Sequence, residues 1–154
     1  MIKYCVQEGE ILLFVTNKHK TEGIVKDLGA ESIEKDQQGA PFLKGSDLFI
    51  SLSHKGDVVA LAVSSSPVGV DVEDTSVPRN VERLSKLFHT SERPEDLYAF
   101  YRVWTAKEAE GKRLRTGIST DILRKETSSG KYFDWGDYLI CVMGEGEVRV
   151  IEEA

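Results

Sequence analysis

Asp71, Glu73, Glu108 and Lys112 are the residue types that phosphate chemistry needs, and their spacing brings them onto two faces. Asp71 and Glu73 lie two apart in the apolar run 68–73, so in a strand they leave one sheet face while Val70 and Val72 leave the other. Glu108 and Lys112 continue, at helical spacing, the stripe Leu97, Tyr101, Trp104 of a helix expected over about 94–114. A carboxylate on an inward helix face needs a metal, a cation or a proton. Read alone, Asp71 and Glu73 fit an exposed strand end that aids solubility. With Glu108 they make an all-oxygen set suited to Mg²⁺, which takes few carboxylates together with water and phosphate oxygens.

Ser51-Leu52-Ser53-His54-Lys55-Gly56-Asp57 offers hydroxyl, imidazole and ammonium donors where a strand enters a turn, an arrangement that can grip a phosphate. A Ser/His/Asp hydrolase is a poor fit, because no Gly-x-Ser-x-Gly occurs and adjacent Ser53 and His54 leave opposite strand faces. In Phe88-His89-Thr90-Ser91-Glu92, Thr90 or Ser91 reads as the N-cap of the next helix. Lys107, Lys112, Arg113, Arg115, Arg124 and Lys125 gather after Trp104, partly complementing a helix dipole and partly offering a basic patch to an acidic partner.

The elements that must hold these residues follow from periodicity and turn signals. Ile2–Val6 and Ile11–Val15 read as a hairpin around Glu8-Gly9, and Asn17 as the cap of a helix over about 18–28 ending at Gly29. A polar loop through Gly39-Ala40-Pro41 leads to strands at 48–53, 58–63 and 68–73. Helices over about 80–88 and 94–114 come next, followed by strands at 131–135, 138–143 and 147–151. The order is α+β. Gly56–Val63 resembles Gly136–Met143, and each is followed by a turn and a Val-x-Val strand. Two related halves or chance likeness between apolar hairpins explain this equally.

At 154 residues the chain suits one domain, or two small halves sharing a core. A net charge of −6 argues against a nucleic-acid binder that works by neutralising phosphates across its surface. With no signal-like opening and no apolar run near the roughly 20 residues of a membrane span, a cytoplasmic protein is expected. Cys5 and Cys141 lack metal-ligand spacing and read as buried thiols.

Taken in order, Gly39-x-Pro41, Ser51-x-Ser53-His54, Val68-Gly-Val-Asp-x-Glu73, Phe88-x-x-x-Glu92 and Trp104-x-x-Lys-Glu-x-x-x-Lys112 resemble the 4′-phosphopantetheinyl transferases, in particular the two-half type that activates peptide and polyketide synthetases. The resemblance implies an α+β fold of two pseudo-related halves, about 1–66 and 67–154, each a small antiparallel sheet packed on helix, with the active site in the cleft between them. It implies Mg²⁺-dependent transfer of the phosphopantetheine arm of coenzyme A to a serine of an apo acyl or peptidyl carrier protein, releasing adenosine 3′,5′-bisphosphate. By that likeness Asp71, Glu73 and Glu108 hold the metal, Glu108 takes the serine proton, and Lys112 neutralises the leaving phosphate. Gly39, Pro41, Ser53, His54, Lys107 and Lys112 bind coenzyme A. A monomer is expected.

Three departures qualify the likeness. Ala40 stands where the family often has lysine, so a phosphate contact is missing or is supplied by Lys18, Lys20 or Lys44. Glu110-Gly111 replaces an apolar pair, and a helical glycine costs on the order of 1 kcal/mol against alanine, which points to an early end or bend. The first half is short for a two-half member. These motivate a second reading, a degenerate transferase-like protein that binds a carrier protein or nucleotide. A Mg²⁺-dependent phosphodiesterase is a third, with no second metal cluster to support it.

Overall fold

Strand β1 (Glu10–Thr16) is buried from Ile11 onward, so both of its faces need cover. The computed structural model, which describes residues 2–128 and 130–153, supplies that cover as two stacked sheets between helices. Ile11, Leu13 and Val15 meet Val68, Val70 and Val72 across the space between the sheets, while Leu12 and Phe14 face Ile24 and Val25. Those last two belong to α1 (Thr21–Asp27).

The larger sheet runs β4 (Phe49–Lys55), β5 (Val58–Ser64), β1 and β9 (Glu147–Glu152); the second runs β6 (Val68–Asp74), β8 (Tyr138–Gly144) and β7 (Lys131–Trp135). A separate ribbon pairs β2 (Ser32–Lys35) with β3 (Pro41–Lys44). Helices α2 (Val81–Ser85), α3 (Leu97–Arg113) and α4 (Thr120–Arg124) all fall between β6 and β7. The architecture is α+β.

The internal likeness has a structural counterpart. In each part a leading strand is followed by helix and then by a hairpin whose second strand pairs antiparallel with the leader: β1 with the β4-β5 hairpin, β6 with the β7-β8 hairpin. Both hairpins turn on Gly-Asp, with Gly56 at φ 57° and Gly136 at φ 60°, the left-handed conformation a two-residue turn asks of its first residue. The chain passes between residues 66 and 67 into β6, but its last strand, β9, returns to lie parallel to β1 in the first sheet.

Several local expectations are corrected. Residues 2–7 form no strand; Lys3 and Tyr4 instead donate their backbone N–H groups to the Asp27 carbonyl at the end of α1, and Cys5 is exposed. Asn17 does not cap α1, because its side chain closes a turn on His19 N while Lys20 occupies the cap position. Neither Thr90 nor Ser91 caps α3; Asp96 does, accepting from Ala99 N at 2.8 Å. Gly111 neither ends nor breaks α3, which continues to Arg113.

Candidate functional site

Gly69 lets α3 settle onto β6. A Cβ there would collide with the Ala109 carbonyl and stand 2.6 Å from Arg113 N. Ala106 and Ala109 keep the same interface thin, packing on Cys141 and Met143. Since Gly69, Asp71 and Glu73 share a strand face, this close approach brings two carboxylates under the helix that carries Glu108 and Lys112.

The opposite edge of β6 explains Ser-x-Ser. Each of these strands is the outer member of its sheet, and an outer strand leaves N–H groups that need partners. Val70 N donates to Ser51 Oγ at 3.0 Å and Val72 N to Ser53 Oγ at 3.1 Å. Ser53 Oγ in turn donates to Asp71 Oδ1 at 3.1 Å. The serine hydroxyls therefore stitch β4 to β6, and Ser53 is committed within the protein rather than free for a phosphate. His54 is exposed beside it at the end of β4.

Asp71 is the most constrained member of the set. Lys112 Nζ lies 3.4 Å from its Oδ1, while Oδ2 is buried with no hydrogen-bond partner among the described residues. Burial pushes its carboxyl up to about 7 against the pull of Lys112, and the like charges of Glu73 and Glu108 add to the rise. Burial also raises Glu108, opposed by Lys112 and reinforced by Glu73. Glu73 pairs with Lys55 Nζ at 3.2 Å. Among the described residues no three acidic, histidine or cysteine side chains already form a metal-ligand cluster. The carboxylates nevertheless fit a hard cation: they feel one another's charge, offer only oxygen, and include an orphaned buried oxygen.

Lys112 also reaches the Leu52 carbonyl at 3.3 Å and lines an adjoining cavity of about 250 Å³. That cavity is walled by Gly39, Ala40 and Pro41 on one side and Ser51 and Leu52 on another. Its charged lining residues are Lys112 and Arg115, both cationic. Lys18, Lys20 and Lys44 do not line it, and Lys44 is engaged with Glu31 and Glu34. Arg115 follows α3 in a Schellman motif, with its own N–H bonded to the Lys112 carbonyl and Thr116 N to the Gly111 carbonyl. Its φ of 62° is the one positive value at a non-glycine among the described residues.

Lys107 corrects the expected set. It is fully buried, and its Nζ is held by Glu92 at 2.7 Å, the Lys125 carbonyl at 2.7 Å, Thr127 Oγ1 at 2.9 Å and the Ile122 carbonyl at 3.2 Å. An ammonium so enclosed fastens the segment after α3 and is closed to a phosphate. Glu92 of Phe-x-x-x-Glu is its partner, and also accepts from the backbone N–H groups of Thr127 and His89.

The model of the 4′-phosphopantetheinyl transferase superfamily matches residues 67–140, the stretch that holds Asp71, Glu73, Glu108 and Lys112. Over that stretch the chain is similar to this superfamily. It is 39% identical over 84 residues to the 4′-phosphopantetheinyl transferase AcpT of Salmonella typhi, covering 47% of this chain and 44% of that one. It is 28% identical over 118 residues to the 4′-phosphopantetheinyl transferase of Bacillus subtilis, covering 70% and 51%. The gsp transferase of Aneurinibacillus migulanus is 28% identical over 92 residues, 54% of this chain and 38% of that one. The chain spans about half the length of these curated superfamily members, or less.

Proposed function

We propose that this protein is a member of that superfamily and transfers the phosphopantetheine arm of coenzyme A to a serine of an apo acyl or peptidyl carrier protein. The observation that carries the reading is the double placement of Lys112, which lines the cationic cavity and stands 3.4 Å from Asp71 Oδ1 among the carboxylates. A ligand with a nucleotide in the cavity and a pyrophosphate at the carboxylates would span the two.

Asp71, Glu73 and Glu108 would hold Mg²⁺, which when bound supplies charge neutralisation at the pyrophosphate. In the reaction the carrier serine Oγ bonds to the phosphorus bearing the pantetheine arm, and the phosphorus–oxygen bond to the adenosine bisphosphate breaks. Glu108 accepts the serine proton, directly or through water. Its raised pKa, caused first by burial, makes it a stronger base than an exposed carboxylate. Lys112 stabilises charge on the departing phosphate. His54, exposed beside the cavity strand, and the Gly39–Pro41 wall contact coenzyme A, and the basic residues after α3 face an acidic carrier. The protein works in the cytoplasm as a monomer with its cleft between the two halves. Among the described residues no helix is long and apolar enough to cross a membrane.

Titration calorimetry tests the first step. Coenzyme A should bind in the presence of Mg²⁺ and far more weakly in chelator. Tight carrier binding with no Mg²⁺-dependent coenzyme A binding would favour a degenerate binding protein instead.

A further inference from the structure

Arg115 occupies the position after the C-cap of α3 that normally goes to glycine, because its left-handed backbone is disfavoured for any residue with a Cβ. Its side chain shows what holds it there. Nη1 donates to the Pro41 carbonyl at 3.0 Å and Nη2 to Asp36 Oδ2 at 2.8 Å, joining residues 74 and 79 positions apart. Asp36 uses its other oxygen to accept from Gln38 N at 2.9 Å and Ala40 N at 3.0 Å, which shapes the turn between β2 and β3. That turn carries Gln38 to Pro41, one wall of the cavity that Lys112 lines.

We infer that Arg115 is a positioning residue for the nucleotide half of coenzyme A: it clamps the 36–41 turn to the end of α3 and so fixes the distance between the cavity wall and Lys112. The inference rests on the transferase reading. A planar guanidinium presents its N–H groups at fixed separation and direction, so it sets the geometry of two acceptors in a way that the single nitrogen of an ammonium does not. The guanidinium is spent on Asp36 and the Pro41 carbonyl, so its role at this wall is to hold the turn in place. A left-handed backbone at a non-glycine residue beside a cavity motivates a functional reading of that residue.

Arg115→Gly separates the two roles, since glycine relieves the backbone and removes the clamp. With coenzyme A as the varied substrate and an apo carrier as acceptor, KM should rise about tenfold because the cavity wall is no longer held in its binding position, with a much smaller change in kcat. The melting temperature should hold or rise. Backbone amides of residues 36–41 should exchange faster, a readout independent of turnover. Asp36→Asn should give the same KM shift, and the double variant should add little to either. Arg115→Lys should not restore KM. If Arg115→Gly lowers the melting temperature and leaves KM unmoved, Arg115 is a structural strut and the inference fails alone. If the unaltered protein binds neither coenzyme A nor adenosine 3′,5′-bisphosphate, the transferase reading fails and takes this inference with it.

Discussion

Lys112 Nζ stands 3.4 Å from Asp71 Oδ1 and 3.3 Å from the Leu52 carbonyl, so one ammonium on α3 joins the facing edge strands of both sheets. It partly compensates a carboxylate that burial disfavours as an anion, and the balance of those two effects can be measured.

In metal-free protein the Asp71 carboxyl is pushed from 3.8 up to about 7, first by burial. The folded state therefore keeps a proton that the unfolded chain has lost. Its contribution to stability is fully present below about pH 4 and disappears as pH rises through about 7. Asp71→Asn removes this dependence. In chelator, the variant should gain stability over the unaltered protein, on the order of a few kcal/mol, as pH is raised from about 5 to about 8. Denaturant midpoints across that range check it, and a difference that does not vary with pH would contradict it.

Lys107→Met leaves the part-buried Glu92 beside no cation. Breaking a buried pair from one side costs about 3–5 kcal/mol, and adding Glu92→Gln should recover part of the loss. The folded fraction should keep the KM for coenzyme A of the unaltered protein. A raised KM with unchanged stability would return Lys107 to the ligand site.

Gly111→Ala gives a test by sign. Helix propensity alone favours alanine by about 1 kcal/mol. A Cβ at residue 111, however, would stand 2.6 Å from the Gly117 carbonyl carbon and oxygen and 2.8 Å from Ile118 N. The substitution should therefore destabilise by about 1–3 kcal/mol, the usual cost of overpacking. A stabilised Gly111→Ala protein would mean that the loop after α3 does not lie on the helix.

The elements with strong local patterns were legible in the sequence. Strands β4 to β6 and β7 to β9 follow apolar runs bounded by Gly-Asp, Ser-Pro or Gly-Glu-Gly turns, and their ends lie within two residues of those runs. The β2-β3 ribbon was not, since its strands are four residues long and only Leu43 is buried, which leaves little alternation to read. Ile2–Val6 had the pattern of a strand but found its backbone partner at the end of α1. A local pattern cannot report such a competition.

The site divides in the same way. Asp71, Glu73, Glu108 and Lys112 could be assembled from strand and helix periods. What Ser53 and Lys107 do depended on partners 18 and 15 or more positions away, so residues that looked free in sequence proved to be engaged. Arg115 was visible only as one charge in a basic cluster. Its left-handed backbone and its reach to Asp36 are properties of the folded chain.

Intact-mass analysis of a panel of apo carrier proteins, incubated with coenzyme A, Mg²⁺ and either this protein or its Glu108→Gln variant, tests transferase activity most directly. The unaltered protein should add the mass of the phosphopantetheine arm to at least one carrier, with adenosine 3′,5′-bisphosphate released in equal amount, and Glu108→Gln should remain folded and add none. No mass increase on any carrier, or full activity in the Glu108→Gln variant, would contradict the account.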